Sequence, residues 1–427
     1  MLPLGQLPPQ DWLTQPDTRT VMAALAARGA TARFAGGCVR DALLGRPVAD
    51  VDIAIDVPPE ETLALLAAKG IRAVPTGLAH GTVTAVLPGR SFEITTLRRD
   101  VETDGRHAVV AFTDDWAADA MRRDLTINAL YADADGAVYD YCEGLADLGA
   151  RRVRFVGDAA ARVEEDVLRI LRFFRFFGRY GAPPPDVEAL AACRRFAPRI
   201  AGLSGERIAR EMLKILSGPD PAEVILLMRG EGVARQVLPE PFAPGRLRVL
   251  SWLETRGLVG LDADPIRRLA ALIATLDPIA DADRAAALAG RWRLSNRETD
   301  RLAGCLAADR PHAGMSRADA RRALADCGPE TWRDRVLLAW AEYRHGYGAG
   351  GPLPGSRGSA AWEALLRLPE TAPVPPFPLK GADALALGVP PGPRVGELLR
   401  AVEAEWRAED FAPDRAALLD RLKARAG

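Results

Sequence analysis

The stretch from Phe34 to Asp56, FAGGCVRDALLGRPVADVDIAID, decides how the rest of the chain is read. Ala32 to Ala35 predicts a short strand, and Gly36 and Gly37 follow it, where backbone amides can approach a ligand that a Cβ would hold off. Val39 to Leu44 gives one or two helical turns, ended by Gly45. After Pro47, Val51, Ile53 and Ile55 alternate with Asp50, Asp52 and Ala54. Residues i and i+2 of a strand share a face, so Asp50 and Asp52 are expected to project together while the valine and isoleucines bury. Two neighbouring carboxylates repel unless a cation sits between them, and all-oxygen ligation suits Mg²⁺ holding a substrate phosphate. Either feature alone is common. A glycine pair that can cradle phosphate, just upstream of a carboxylate pair that can hold metal, is the anatomy of a nucleotidyl-transfer site.

Composition bounds the remainder. At 427 residues the chain exceeds one ordinary domain, and 48% hydrophobic with 26% charged residues is the balance of a soluble globular protein. No apolar run approaches the length of a membrane span, and the opening MLPLGQLPPQ has no signal-peptide core, so a cytoplasmic location is expected. The five cysteines are scattered with no C-x-x-C pair, which argues against a disulfide framework or structural zinc. The net charge of −1 gives no global attraction to nucleic acid, but Arg151 to Lys214 holds fourteen basic against eight acidic residues. A surplus confined to one segment predicts a local phosphate-binding surface.

Downstream of the opening stretch, Pro59 to Lys69 predicts an amphipathic helix and Ile71 to Val74 a strand. Thr82 to Leu87 and Ser91 to Leu97 predict a hairpin about a Pro-Gly turn. Glu93, in its second strand, is the candidate third carboxylate. The polar segment DVETDGRHAV from Asp100 to Val109 reads as a mobile loop, with Arg106 and His107 near its tip. In MRRDLTINALYADADG, Asp119 to Arg123 reads as a helix end and Ile127 to Tyr131 as a strand. The run DAAARVEEDVLRILRFFRFFGRYG predicts a strongly helical stretch, too apolar for an exposed helix.

Taken together, G-G-x-V-R-D-x-L-L-G, D-x-D, R-R-D-L-T-I-N-A and E-D-V-L-R make the sequence resemble class II CCA-adding enzymes and bacterial poly(A) polymerases of the polymerase-β-like nucleotidyltransferase superfamily. Leu125 stands where that family usually has phenylalanine. The resemblance is specific over residues 34–215 and 378–400. It implies an α+β fold, with a mixed-sheet head at 1–150, a helical neck at 151–218, a helical body at 219–345, and a linker with a helical tail at 346–427. It implies Asp50, Asp52 and Glu93 as the catalytic carboxylates, with Mg²⁺ on Asp50 and Asp52. Gly36, Gly37, Arg40, Arg123, Asp124 and Asn128 would contact the nucleotide's phosphates and sugar, with Asp166, Arg169, Arg172 and Arg175 following on one helix. A loop in the Asp100 to Val109 region is needed in such enzymes for the change from C to A addition. Arg207 and Arg210, in SGERIAREMLKIL, resemble a further family motif whose expected duty is packing of the neck.

The base-reading chemistry follows from the side chains themselves. Asp166 offers only acceptors and Arg169 only donors, one helical turn apart. Cytosine and adenine each present an amino donor beside a ring-nitrogen acceptor, so both fit. Uracil and guanine present a carbonyl where the aspartate needs a donor and an N–H where the arginine needs an acceptor. Each mismatch strands buried polar groups at about 1–3 kcal/mol. Such a surface selects CTP and ATP without a template, which predicts a CCA tRNA nucleotidyltransferase activity on the 3′ end of tRNA, with neither DNA nor membrane as partner. Two alternatives stay open: a poly(A) polymerase, which shares these motifs, and a catalytically silent RNA-binding relative.

Overall fold

The computed structural model describes residues 2–103, 108–255, 260–275, 277–346 and 359–426. They fall into two compact units, Met1–Pro219 with Glu223–Val237, and Asp220–Ala222 with Leu238–Gly427. The first holds the segments expected to form head and neck.

Its sheet contains β1 (Gly5–Gln6), β2 (Ala32–Ala35), β3 (Asp52–Ile55), β4 (Arg72–Gly77), β5 (Thr82–Leu87), β6 (Arg90–Thr96), β9 (Leu130–Ala132) and β10 (Ala137–Asp140). The strand order is β1-β10-β9-β2-β3-β6-β5-β4. Every pairing is antiparallel except β3 with β6. That one parallel pair arises because the helix Pro59–Ala67 carries the chain away from β3, and the β5–β6 hairpin returns it alongside in the same direction. Its register sets Asp52 directly against Glu93.

One face of the sheet is closed by Phe34, Ile53, Ile55, Val83, Phe92 and Ile94, all essentially inaccessible, with Trp12 meeting Phe34 edge-on at 4.9 Å. The other face is covered in part by Trp116, Ala120, Tyr131 and Val156 packed over Ala35 and Ala54. The expected in–out alternation of β3 therefore holds only for its first half, since Ala54 is buried too. Small side chains at Ala35 and Ala54 leave space on this face, and both residues line the cleft that opens there.

Three expectations are corrected. The segment from Asp100 to Val109 is mostly strand: β7 (Arg98–Thr103) and β8 (Ala108–Phe112) pair as a separate two-stranded ribbon with a bulge at Asp100/Glu102. Val101, Thr103, Val109 and Val110 supply the β-branched residues that favour it, despite the polar composition. The tip, with Arg106 and His107, lies outside the described residues. Residues Thr126–Asn128 form a 3₁₀ turn, so the next strand starts at Leu130. Finally, the long apolar stretch is two helices, Ala159–Glu165 and Leu168–Tyr180, separated at Asp166, whose φ of −149° and ψ of 105° are extended.

The second unit is helical among its described residues, and most of the linker at 346–359 lies outside them. Its core is built on Trp332, Trp340 and Trp362, the last two stacked with centroids 6.3 Å apart. A smaller cluster around Trp406, Phe411, Leu418 and Leu422 holds the helices Pro393–Ala408 and Arg415–Ala426. No helix among the described residues is long and apolar enough to cross a membrane.

Candidate active site

A cleft of about 620 Å³ opens on the alanine-lined face of the sheet. Seven arginines (40, 98, 122, 123, 169, 172 and 207) and five carboxylates (Asp52, Glu93, Asp119, Asp124 and Asp166) line it among the described residues. The excess of cations suits a polyanionic ligand, and the floor is shaped to admit one. Gly36 takes φ +72°, and a Cβ there would stand 3.3 Å from Arg123 Nη1 and 3.5 Å from the Asn128 carbonyl oxygen. The left-handed backbone favours glycine here, and a Cβ would crowd the Arg123 guanidinium.

The carboxylates of Asp52 and Glu93 form the anionic spot. Neither makes a side-chain hydrogen bond or ion pair among the described residues, and both are exposed. Desolvation raises the Asp52 pKa, Glu93 and then Asp50 raise it further, and Arg123 opposes them. Asp50 precedes β3, is exposed, and is not among the residues lining the cleft. The pair that faces the cleft is thus Asp52 with Glu93 across two strands, with Asp50 beside them. No group of three or more His, Cys, Asp or Glu poised for a metal occurs among the described residues. Two repelling carboxylates open to a cleft fit Mg²⁺, which commonly takes one or two protein carboxylates and completes its shell with water and substrate phosphate.

Arg123 is held rather than free. Its guanidinium bonds Asp119 at 3.0 Å, the Tyr131 hydroxyl at 3.0 Å and the Asn128 carbonyl at 3.3 Å. Burial disfavours ionised Asp119, but Arg123 and Arg122 outweigh it and bring its pKa down to about 2. Asp124 behaves alike: burial is overcome by Arg172, whose Nε donates to Oδ2 at 2.6 Å, and by Asn128 Nδ2, which donates to Oδ1 at 3.2 Å. Arg40, only 6% exposed, clamps Asp41 and donates to the Asn128 side chain.

Asp166 and Arg169 both line the cleft, but they do not pair with each other as a helical i,i+3 salt bridge would. The chain breaks at Asp166, and its Oδ1 accepts from the Leu168 amide at 3.1 Å, starting the next helix. Its Oδ2 accepts from Arg207 Nη2 at 2.7 Å, while Arg169 is braced by Glu165 and by the Arg162 carbonyl. Acceptor and donor are each held from outside, and both keep capacity toward a base, since a carboxylate has about four lone-pair sites and a guanidinium five N–H groups. The break frees Asp166 from the helical surface, where an unbroken helix would commit it to one cylinder.

Residues 32–154 match the family model described as the poly A polymerase head domain. Residues 185–243 match that of the probable RNA and SrmB-binding site of polymerase A. The Mus musculus protein named CCA tRNA nucleotidyltransferase 1, mitochondrial, is 35% identical over 407 residues, spanning 92% of this chain and 86% of that one. This chain belongs to the CCA tRNA nucleotidyltransferase family. A Geobacillus thermodenitrificans CCA-adding enzyme is 37% identical over 227 residues, 53% of this chain and 54% of its own. The crystal structure of the Bacillus stearothermophilus CCA-adding enzyme in complex with CTP aligns with a TM-score of 0.71 at 26% identity, over 96% of this chain and 98% of that one.

Within this CCA tRNA nucleotidyltransferase fold the cleft gathers Gly36, Gly37, Arg40, Asp52, Glu93, Arg123, Asp124, Asn128, Asp166, Arg169 and Arg172. Arg175 is not among its lining residues. It pairs with the buried Glu211 at 3.1 Å and lies 4.5 Å from the Phe176 ring, an anchor between the helices Leu168–Tyr180 and Gly205–Leu216. Conversely, Arg207 faces the cleft and holds Asp166, where packing alone was expected. The spacing of SGERIAR already placed it on one helical face with Arg210, but nothing local shows which face turns inward. Arg98 and Phe176 also line the cleft and carried no sequence signal.

Proposed function

We propose that the chain adds C, C and A to the 3′ end of tRNA, using CTP and ATP, and that this cleft is where it does so. The observation that carries the reading is the presence in one cleft of a carboxylate pair at Asp52 and Glu93 and a braced acceptor–donor pair at Asp166 and Arg169. The first suits nucleotidyl transfer and the second suits choice of C and A. Family membership across most of the chain supports CCA addition over a poly(A) tail.

In this reading the triphosphate enters past the Gly36–Gly37 turn, where Arg123 supplies positive charge, and the base meets Asp166 and Arg169. The RNA 3′-hydroxyl attacks the α-phosphorus in line; the new P–O bond forms as the bond to the β-phosphate's bridging oxygen breaks, and pyrophosphate leaves. Asp52 and Glu93, with Asp50 beside them, would hold Mg²⁺, which would lower the pKa of the attacking hydroxyl and offset charge on the phosphates. Arginines fixed by Asp119, Asp124 and Glu165 need little rearrangement when the nucleotide arrives, so positioning carries much of the catalysis. The five described thiols form no disulfide, which supports a reducing compartment such as the cytoplasm.

The test is to sequence the 3′ ends made on a tRNA lacking CCA, with and without Mg²⁺. The proposal expects C-C-A ends that stop there and vanish with chelator. Open-ended A tails made from ATP alone would support a poly(A) polymerase instead, and metal-independent or absent incorporation would contradict the site.

A further inference from the structure

The cleft's two ends are tied together by a circuit of hydrogen bonds that begins and ends on the helix Leu168–Tyr180. Tyr180 Oη donates to Asp41 Oδ1 at 2.9 Å. Arg40 donates to the same carboxylate through Nε at 3.0 Å and Nη2 at 2.9 Å, and through Nη1 to Asn128 Oδ1. Asn128 donates to Asp124 at 3.2 Å, and Asp124 accepts from Arg172 at 2.6 Å, back on the starting helix. Tyr180 and Arg172 lie eight residues apart, about 12 Å along the helix axis. The gap is filled by Phe176, stacked on Tyr180 with centroids 5.8 Å apart, and the Arg40 guanidinium lies 4.1 Å from the Tyr180 ring.

Four members, Arg40, Asn128, Asp124 and Arg172, line the cleft; Asp41 and Tyr180 do not. Asp41 therefore cannot act by touching the nucleotide. It joins the helix Gly37–Leu43, which begins in the phosphate-side glycine turn, to the helix whose first turn carries Arg169. Three donors converge on its carboxylate, and charge-assisted bonds of this kind are the stronger class. With Asp41 removed, Arg40 loses its ion-pair partner among the described residues and Tyr180 its acceptor, which loosens the helix at the end opposite Asp124, where Arg46 Nη2 still donates to the Arg179 carbonyl at 3.1 Å.

We propose that Asp41 is a positioning residue for nucleotide selection, fixing the base-reading helix against the phosphate-side turn through Arg40 and Tyr180. This rests on the CCA-adding reading of the cleft. A displaced reader still carries its donors and acceptors, but their fit to cytosine over uracil loosens. Discrimination then falls more than the chemical step itself.

The experiment is single-turnover incorporation of CTP and UTP on tRNA lacking CCA, by wild type, Asp41→Ala, Tyr180→Phe and the double variant, with thermal midpoints read in parallel. Asp41→Ala is expected to lower the CTP-over-UTP preference about 10-fold, and Tyr180→Phe about 3-fold. The double variant should be no worse than Asp41→Ala, because both break one connection. Lower midpoints with wild-type nucleotide ratios would overturn the inference, as would strictly additive effects. Should Asp41→Ala fail to fold, Tyr180→Phe removes a single oxygen and carries the test by its ratio. Failure of wild type to incorporate CTP at all would instead remove the cleft reading itself.

Discussion

Two regions of this molecule are built from arginine and carboxylate and use them oppositely. In the second unit, Arg267 and Arg268 bond the two oxygens of Glu254, while Arg267 and Arg301 share Asp334. Glu254, Arg268 and Asp334 are at most 1% exposed, and every carboxylate oxygen has a partner. In the cleft, Asp119, Asp124 and Asp166 are likewise paired, but the carboxylates of Asp52 and Glu93, neighbours across two strands, make no side-chain hydrogen bond or ion pair among the described residues. A closed ionic network rigidifies its surroundings; an open one is unfinished until a ligand supplies the missing charge. The difference separates a structural site from a functional one better than charge density does.

Removing a carboxylate should therefore have opposite consequences in the two places. Asp52→Asn deletes half of the unfinished pair, and the expected result is loss of nucleotide transfer by about three orders of magnitude. Because repulsion with Glu93 is relieved, its thermal midpoint should be unchanged or higher. Retained activity, or a large drop in midpoint, would break the comparison from the cleft side. Asp334→Ala leaves the buried Arg267 and the half-buried Arg301 without their shared partner, and a loss of about 3–5 kcal/mol in unfolding free energy is expected. Nucleotide preference in the folded fraction should not change, which denaturant titration and single-turnover ratios measure together.

A third case sharpens the boundary, since Asp119 is cleft-lining but fully paired. Its folded pKa of about 2 lies below the ordinary carboxylate value of 3.8, so its stabilisation is complete above the unfolded value and lost as pH falls through the folded one. The shift corresponds to about 2 kcal/mol at neutral pH. Stability of wild type should fall steeply between about pH 4 and pH 2, and Asp119→Asn should flatten that part of the curve. An unaltered acid limb would mean that Asp119 is not the group responsible.

Much of this contrast was legible in the sequence. β2, the D-x-D strand and the β5–β6 hairpin follow from local alternation and turn chemistry, and the register that sets Glu93 against Asp52 fits that hairpin. Asp50 was harder: the alternation puts it on the right face, but where β3 begins depends on pairing with β2 and β6. The break at Asp166 was hidden because V-E-E-D-V-L-R is made largely of helix formers. What breaks the helix there is a long-range contact with Arg207, 41 residues on, together with the cap to Leu168. The same logic sets Arg207 along the cleft and Arg175 against Glu211. Both lie on amphipathic helices, and only packing decides which one turns toward the cleft.

The most direct test of the account is single-turnover incorporation of each of the four nucleotides by Asp166→Asn. Asparagine is as good as aspartate at starting a helix, so the Leu168 cap can be kept, while the ion pair of the second oxygen with Arg207 is given up. The substitution turns one acceptor oxygen into an amide donor that can meet the carbonyl of uracil or guanine. The account predicts that preference for CTP over UTP falls by roughly 5- to 150-fold, with correct addition weakened at the same time. An unchanged CTP-to-UTP ratio in a folded, active variant would contradict it and place base selection elsewhere in the molecule.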